Sequence, residues 1–375
     1  MLSAHNQHTD FSTWLDWTKR NMPLTRDIGT SLPSFDGVRL ACSVHLDIKM
    51  VPAFEALLAR GAKLFLATCN PTTVRDDVVE HLQDLGADTY AWRGMSDTDY
   101  REGIRRALNW RPTHSCEMGA DITVAAHAAG ESTLRCGLEA TGSGINRLAA
   151  LSLRYPVFNW DDLPIKEGLH NRYLVGLSTW QSFCERTMLS LHGKHVVVVG
   201  FGLVGQGVAD VAKAFGATVS IVERDPSRAL QARYAGWPTG TLADFAPQTD
   251  VLVTATGVRG IVGADVVARL RPGCFVLNVG HVADEIDVAA FGTRRELVPF
   301  VEICEVTGKE LYLFAGGSMA NLTAGHGDSL NAFDLTLAVM LAGLGHIVTS
   351  GETSPAGIHP LPETVWKPVA ARALA

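Results

Sequence analysis

Nothing in the 375-residue sequence marks it for a membrane, an oxidising compartment or a nucleic acid. Lys and Arg number 32 against 39 Asp and Glu, a formal charge of −7. No basic block stands out, which argues against a nucleic-acid binder. The opening MLSAHNQHTDFSTWLDW lacks a basic stretch followed by an apolar run, so no secretory signal is read. No apolar run approaches the ~20 residues that cross a bilayer. The seven cysteines, Cys42, Cys69, Cys116, Cys136, Cys184, Cys274 and Cys304, fall without paired or metal-ligand spacing. That scatter suits reduced thiols in the cytoplasm and gives no metal site. Neither an internal repeat nor a low-complexity segment is present. What is there is 47% hydrophobic, ample for buried cores, and the length suits two domains. A soluble, cytoplasmic, enzyme-sized chain is expected.

The stretch around which the chain is organised runs from His195 to Pro226. Four valines make a strand apolar on both faces, as in a buried parallel sheet. Gly200, Gly202 and Gly205 follow, with Leu203 and Val204 among them expected to contact the cofactor, then a helix pattern through Val208, Val211, Ala212 and Phe215. A second apolar strand ends at Glu223, 18 residues after the third glycine. The first glycine makes the turn, the second lets a pyrophosphate approach the backbone, and the third lets helix and strand pack closely. Free N–H groups at the helix start suit phosphate. Glu223 is placed to accept from a ribose diol, and its charge would repel a 2′-phosphate, so the cofactor expected is NAD.

On either side, strand and helix patterns alternate. Strands are expected at Val38–Val44, Lys63–Thr68, Ala87–Ala91, Val157–Asp162, Val251–Ala255 and Cys274–Val279. Helices are expected at 9–22, Val51–Arg60, Thr72–Leu85, Asp97–Asn109, Asn171–Leu191, Ala264–Leu270 and Ser329–Leu344. Residues 111–145 read as less regular, and 352–375 as a loop followed by a short helix. The alternation means α/β domains with doubly wound parallel sheets. Ligands in such sheets sit outside the carboxyl ends of the strands. Polar residues gather at those points: His45, Cys69, Asn70, Glu223, Thr256, Gly257, Asn278 and His281. Together they suggest a cleft shared by two domains.

Over nearly its whole length the chain resembles the S-adenosylhomocysteine hydrolase family. The matching stretches include Cys69-Asn70, Tyr90-Ala91-Trp92 with Gly94, Asp121-Ile122-Thr123, Lys166 with Asn171, and GFGLVGQG from Gly200 to Gly207. They continue with Glu223-Arg224-Asp225-Pro226, Thr256-Gly257, the run from Asn278 to His281, Glu285 with Asp287, Asn321-Leu322, Gly325-His326 and the run from His359 to Pro362. The resemblance implies two Rossmann-like domains, the substrate domain discontinuous. It would comprise 1–176 and 327–375, with an NAD domain at 177–326 inserted. It also implies a mechanism. Tightly held NAD⁺ oxidises a ribose 3′-hydroxyl, the acidified C4′ proton is removed, the 5′ substituent leaves, water adds, and the ketone is reduced again. Lys166 would act at the 3′-oxygen with Asn171 beside it. His45 would stand near the leaving group, and His281 and His326 would line the site. Thr141, Ser143, Asn278 and Asn321 would join the glycine loop, Thr256 and Gly257 in contacting the cofactor. Asp47, Lys49, Cys69, Asn70, Asp121, His170 and His326 would lie on the substrate side. The family's C-terminal extension, which lends a lysine and a tyrosine to a neighbour, is expected to be missing from this chain. A homodimer and a homotetramer are therefore both expected.

Departures from the family pattern set the alternatives. Its Asp-Asp-Gly-Gly-Asp-Leu-Thr run is here Glu117-Met118-Gly119-Ala120-Asp121-Ile122-Thr123, so Met118 replaces the catalytic aspartate. Ala140 replaces the second glutamate of Glu-Glu-Thr-Thr-Thr-Gly, and His170 an aspartate near the lysine. Glu117 or Glu139 could serve instead only if the backbone shifts by a residue. His-Met-Thr-x-Glu, which reads adenine, becomes His45-Leu46-Asp47-Ile48-Lys49, exchanging an acceptor for an ammonium that only donates. The first expectation is an enzyme that oxidises C3′ of a nucleoside or nucleoside thioether other than adenosylhomocysteine, followed by 5′ elimination, hydration or epimerisation. A true adenosylhomocysteine hydrolase is the second, and a silent NAD-binding regulator the third.

Overall fold

The computed structural model describes residues 10–130, 133–280 and 283–374. In chain order the first elements are α1 (Phe11–Arg20), α2 (Pro23–Thr30), β1 (Arg39–Val44), α3 (Val51–Ala59), β2 (Lys63–Thr68), α4 (Asp76–Asp84) and β3 (Asp88–Thr89). Then come α5 (Asp97–Asn109), β4 (His114–Glu117), α6 (Asp121–Ala128), β5 (Cys136–Glu139), α7 (Gly142–Ala149) and β6 (Pro156–Asn159). A π-helical turn, Lys166–Leu174, runs straight into α8 (Val175–Thr187), followed by β7 (His195–Val199), α9 (Leu203–Ala214), β8 (Thr218–Val222) and α10 (Pro226–Tyr234). After these lie α11 (Leu242–Phe245), β9 (Val251–Thr254), α12 (Ala264–Arg269), β10 (Phe275–Asn278), β11 (Arg294–Val298), β12 (Val301–Val306), β13 (Lys309–Phe314) and α13 (Ala320–Thr323). The chain closes with α14 (Leu330–Thr349), β14 (Gly357–Pro360) and α15 (Glu363–Arg372).

Two compact units result, Met1–Leu163 with Leu330–Ala375, and Pro164–Ser329. In the first, a seven-stranded sheet has the order β14-β6-β5-β4-β1-β2-β3. Every pairing is parallel, for example Leu40 with both Leu64 and His114. Chain order reverses between β1 and β4, the switch point where such sheets bind ligands. Leu40, Ala41, Cys42 and Val44 are fully buried, as a strand covered on both faces requires. The twenty residues of α14 are long and apolar enough to cross a membrane, with a mean hydropathy of 1.6, yet 61% of that window is buried. It contains no uninterrupted apolar run of that length, because Asn331, Asp334 and Thr336 interrupt it. Asp334 is itself structural, accepting from the amides of Leu24 at 2.9 Å and Thr25 at 2.7 Å at the start of α2.

The second unit carries a sheet ordered β11-β12-β13-β10-β9-β7-β8. From β13 to β8 it is parallel. Its outer edge, β11 and β12, is an antiparallel addition that strand–helix alternation did not foretell. Other differences are local. Residues 111–145, expected to be irregular, contain β4, α6, β5 and α7, and the tail contributes β14 to the first sheet. The helix expected from Asn171 starts at Lys166 and ends before Met188, whose φ is +55°. The expected junction at 176 falls inside this continuous helical run, all of which belongs to the second unit.

Candidate active site

In the second unit the loop between β7 and α9 is shaped by its glycines. Gly200 has φ +98°, and a Cβ there would lie 2.6 Å from the Ala255 carbonyl oxygen. A Cβ on Gly205 would lie 2.0 Å from the Gly200 oxygen. Around Gly202 the nearest atom is Arg228 Nη1 at 3.9 Å, so the space over its backbone is open. No side chain caps α9, which leaves the first-turn amides, Leu203 and Val204 among them, aimed outward without helical partners. Open room, outward amides and a helix N-terminus suit a pyrophosphate. Glu223 ends β8 with Oε2 accepting from Phe201 N at 2.7 Å and Oε1 from Asp225 N at 2.9 Å. Each oxygen keeps a second lone pair for a diol.

The loop after β9 is held from below. Glu285, fully buried, accepts from Thr256 N at 3.0 Å, Thr256 Oγ1 at 2.7 Å and Gly257 N at 2.7 Å. Glu285 belongs to a matching stretch but was not singled out; a carboxylate following a Gly-rich strand end was the available signal. Asn278 is turned inward, accepting from Thr254 Oγ1 at 3.0 Å and Gly280 N at 2.8 Å and donating to Gly280 O at 3.1 Å. These bonds shape the turn after β10. Asn321 is different: its Oδ1 is buried and has no partner among the described residues. Such an orphaned acceptor fits a cofactor contact. His281 lies outside the described residues.

Lys166 and Asn171, both half-buried, belong to the π-helical turn, where Val175 N bonds to His170 O. Such turns recur at functional sites. The turn is seated on α9, because a Cβ on Gly207 would lie 2.2 Å from Arg172 O and Arg172 pairs with Asp210. The Lys166 turn and the glycine loop thus share one support. His326 is exposed.

In the first unit, His45 follows β1 and Glu117 ends β4, the two strands flanking the switch point. His45 Nδ1 lies 2.8 Å from Thr73 Oγ1, which donates to Asn70 O at 2.8 Å. The threonine therefore accepts from Nδ1–H, and Nε2 is the basic nitrogen. Asn70 Oδ1 accepts from Thr72 N and Oγ1 at 3.0 and 2.8 Å. Burial, with Asp121 and Glu139 nearby, pushes the Cys69 thiol well up, so it stays protonated. Asp121 accepts from Tyr100 Oη at 2.5 Å and pairs with Arg147 at 2.7 Å. Lys49 is 5% exposed and its Nζ sits 3.1 Å from Asp47 Oδ2.

The two glutamates considered as replacement acids are both committed to the backbone. Glu117 accepts from Ile122 N at 2.6 Å, from Thr123 N at 3.1 Å and from the Thr123 hydroxyl. Glu139 accepts from Gly119 N and Ala120 N at 2.9 Å, and from Thr141 N at 2.8 Å and Oγ1 at 2.6 Å. They stand in for a missing cap, since Ala120 begins α6 in the left-handed region at φ +61°. Desolvation raises both, and with Glu117 beside it Glu139 is pushed up to about 8. Thr141 in turn caps α7 through Gly144 N at 3.0 Å, with Ser143 Oγ 3.2 Å away.

Comparison with known proteins decides the family. Residues 171–327 match the model for the S-adenosyl-L-homocysteine hydrolase NAD binding domain, and 20–148 that for S-adenosyl-L-homocysteine hydrolase. Over 371 residues the chain is 33% identical to an adenosylhomocysteinase of Pyrococcus abyssi, covering 95% of this chain and 88% of that one. The chain belongs to the S-adenosyl-L-homocysteine hydrolase family. It is an NAD-dependent enzyme and a divergent member. Over 374 residues it is 30% identical to an S-inosyl-L-homocysteine hydrolase of Methanopyrus kandleri, again covering 95% and 88%. Among solved structures, a putative D-3-phosphoglycerate dehydrogenase from Ralstonia solanacearum is similar in fold, with TM-score 0.52, 12% identity and coverage of 89% and 99%. Within the family, the glycine loop and Glu223 are the parts that fit NAD.

Proposed function

We propose that this enzyme hydrolyses a nucleoside thioether whose base carries a carbonyl beside a ring N–H, by transient oxidation of the ribose 3′-hydroxyl. NAD, when bound, supplies the reversible two-electron oxidation of a secondary alcohol. Lys166 takes and returns the proton at the 3′-oxygen, the general acid–base role of a positioned amine. Asn171 fixes the same hydroxyl, and His45 Nε2 exchanges a proton at the leaving sulfur. Met118 and Ala140 transfer none.

The observation that carries the reading is the Lys49–Asp47 pair. A buried ammonium donates to a carbonyl, and the carboxylate 3.1 Å away accepts from a ring N–H. A 6-oxopurine offers that order of groups, O6 then N1–H. Adenine offers the reverse, and would leave both charges facing like partners. A cytoplasmic homodimer or homotetramer completes the proposal.

The test is to supply S-inosyl-, S-guanosyl- and S-adenosyl-L-homocysteine to the purified protein, following free thiol and reduced-nicotinamide absorbance. Thiol release from the inosyl or guanosyl compound at more than ~10 times the adenosyl rate is expected. Equal rates, or preference for the adenosyl compound, would sink the base assignment. A reduced nicotinamide signal without thiol would replace hydrolysis by chemistry confined to the sugar.

A further inference from the structure

At the amino ends of its strands, opposite the ends that carry His45 and Glu117, the first unit holds a cavity of about 860 Å³. The segments leading into β4, β5 and β6 form it, together with the ends of α5 and α6. Its floor is apolar, with Pro112, Leu134 and Tyr155 buried. Its rim is cationic. Arg105, Arg111 and Arg154 are exposed around it, and no carboxylate is among the described residues that line it. In a chain of net charge −7, guanidinium groups gathered on one opening run against the prevailing sign and make a local field for anions.

Two of these groups are fixed by the protein itself. Arg154 donates from Nη1 to Gly130 O at 2.7 Å and from Nη2 to Ala126 O at 2.8 Å, closing the end of α6. Its Nε–H and one hydrogen on each Nη are left for a ligand. Arg105 grips Glu102 through Nε and Nη2, both at 2.6 Å, and Nη1 stays outside the pair. Arg111 stands just past α5 in the left-handed region, φ +58°, the position where a helix end favours glycine. Its carbonyl accepts from Arg39 Nε at 3.2 Å, and among the described residues no carboxylate pairs with its side chain. The backbone gains nothing from an arginine there, which points to a use for the guanidinium.

We propose that this cavity binds a nucleoside polyphosphate, its phosphates on the three arginines and its base over the apolar floor. A guanidinium fork takes phosphate oxygens two at a time, and a polyphosphate chain offers them to several forks at once, where a single carboxylate engages one. A bare polyphosphate would leave Pro112, Leu134 and Tyr155 unused, whereas a purine or pyrimidine ring covers them and removes apolar surface from water. The volume lies within the range of small-molecule sites, roughly 300–1,000 Å³. The cavity is at the far ends of β4 and α6 from Glu117 and Asp121, so the nucleotide is a second ligand and not the substrate.

The experiment titrates ATP, GTP and pyrophosphate calorimetrically into the full-length protein with NAD in excess, which keeps the cofactor loop filled. Wild type is compared with Arg111→Gly and Arg105→Gln. ATP or GTP is expected to bind wild type at least about tenfold more tightly than pyrophosphate, since only the nucleotides cover the floor. Arg111→Gly suits the left-handed backbone, so its Tm should equal or exceed that of wild type while nucleotide affinity falls about tenfold. Arg105→Gln should weaken the nucleotide about threefold or more with NAD affinity unchanged. Failure of both nucleotides to bind the NAD-saturated wild type overturns the proposal. So does a nucleotide Kd that Arg111→Gly leaves unchanged, which would place any binding elsewhere. Pyrophosphate binding as tightly as the nucleotides overturns the nucleoside part, and a lowered Tm in Arg111→Gly with NAD and nucleotide weakened alike would make the arginine structural and overturn the whole.

Discussion

Gly207 lies against the backbone of Arg172 so closely that a Cβ on it would stand 2.2 Å from the Arg172 carbonyl oxygen. The cofactor helix and the turn bearing Lys166 are therefore packed backbone to backbone. Gly176 repeats the approach one turn along, its Cβ position 2.4 Å from the Gly207 carbonyl carbon. Gly207→Ala should force the two segments apart, at an overpacking cost of ~1–3 kcal/mol. A fall of several degrees in Tm with weakened NAD binding is expected. Gly202→Ala meets nothing nearer than 3.9 Å in the protein but intrudes where a pyrophosphate would sit. Its Tm should match wild type while NAD affinity falls at least about tenfold. Calorimetry on the two proteins checks the contrast, and equal Tm losses would contradict it.

Glu223 serves two masters, the loop amide of Phe201 and, on the cofactor reading, a ribose diol. Glu223→Ser removes the charge that repels a 2′-phosphate, so the ratio of NAD to NADP affinity should fall at least about tenfold. Some affinity for NAD itself should go too, because Phe201 N loses its acceptor. A ratio unchanged by the substitution would mean that another group reads the ribose.

Much of this was readable before any coordinates. Each part of the glycine fingerprint maps onto β7, α9 and β8, and α5 spans the expected Asp97–Asn109. The failures have a common cause. β4 is His-Ser-Cys-Glu and β5 Cys-Gly-Leu-Glu, four-residue strands without the apolar run that betrays a buried strand. They are buried because parallel neighbours cover them, which is a tertiary fact. Edge strand β11 is exposed along its whole length, so no alternation marks it. At the site, the backbone bonds of Glu117 and Glu139 were not legible in the sequence, because they depend on Ala120 adopting positive φ.

The buried glutamates give the enzyme a pH signature of their own. Glu139 has an ordinary value of 4.5 and is pushed up to about 8 by desolvation and by Glu117. The folded state then binds more protons than the unfolded one between those values, so stability is full below pH ~4 and declines as pH rises through about 8. The decline should be on the order of 2–4 kcal/mol. Glu139→Gln should be less stable near pH 5, where it loses acceptors for Gly119, Ala120 and Thr141, but should show a shallower drop towards pH 9. Thermal unfolding of both proteins from pH 5 to 9 measures the two slopes. Parallel curves would mean that Glu139 is ionised throughout.

The Lys49–Asp47 pair makes the sharpest demand on specificity. Lys49→Glu alone would set two carboxylates side by side and destabilise the loop that Asp47 caps through Lys49 N at 2.7 Å. The exchange must therefore be double, Asp47→Thr with Lys49→Glu, which restores a hydroxyl cap and turns the donor into an acceptor. Against adenine the new carboxylate accepts from the exocyclic amine, and against a 6-oxopurine it faces a carbonyl and repels it. A hydrogen-bonding site that loses its partner discriminates strongly, because the buried group is left unpaired. The ratio of inosyl to adenosyl kcat/KM should swing by about a hundredfold or more, a change of ~3 kcal/mol. Because Lys166 and the cofactor loop are untouched, kcat on the better substrate should stay within about tenfold of wild type. A double variant that keeps the wild-type ratio would place base recognition away from residues 47 and 49.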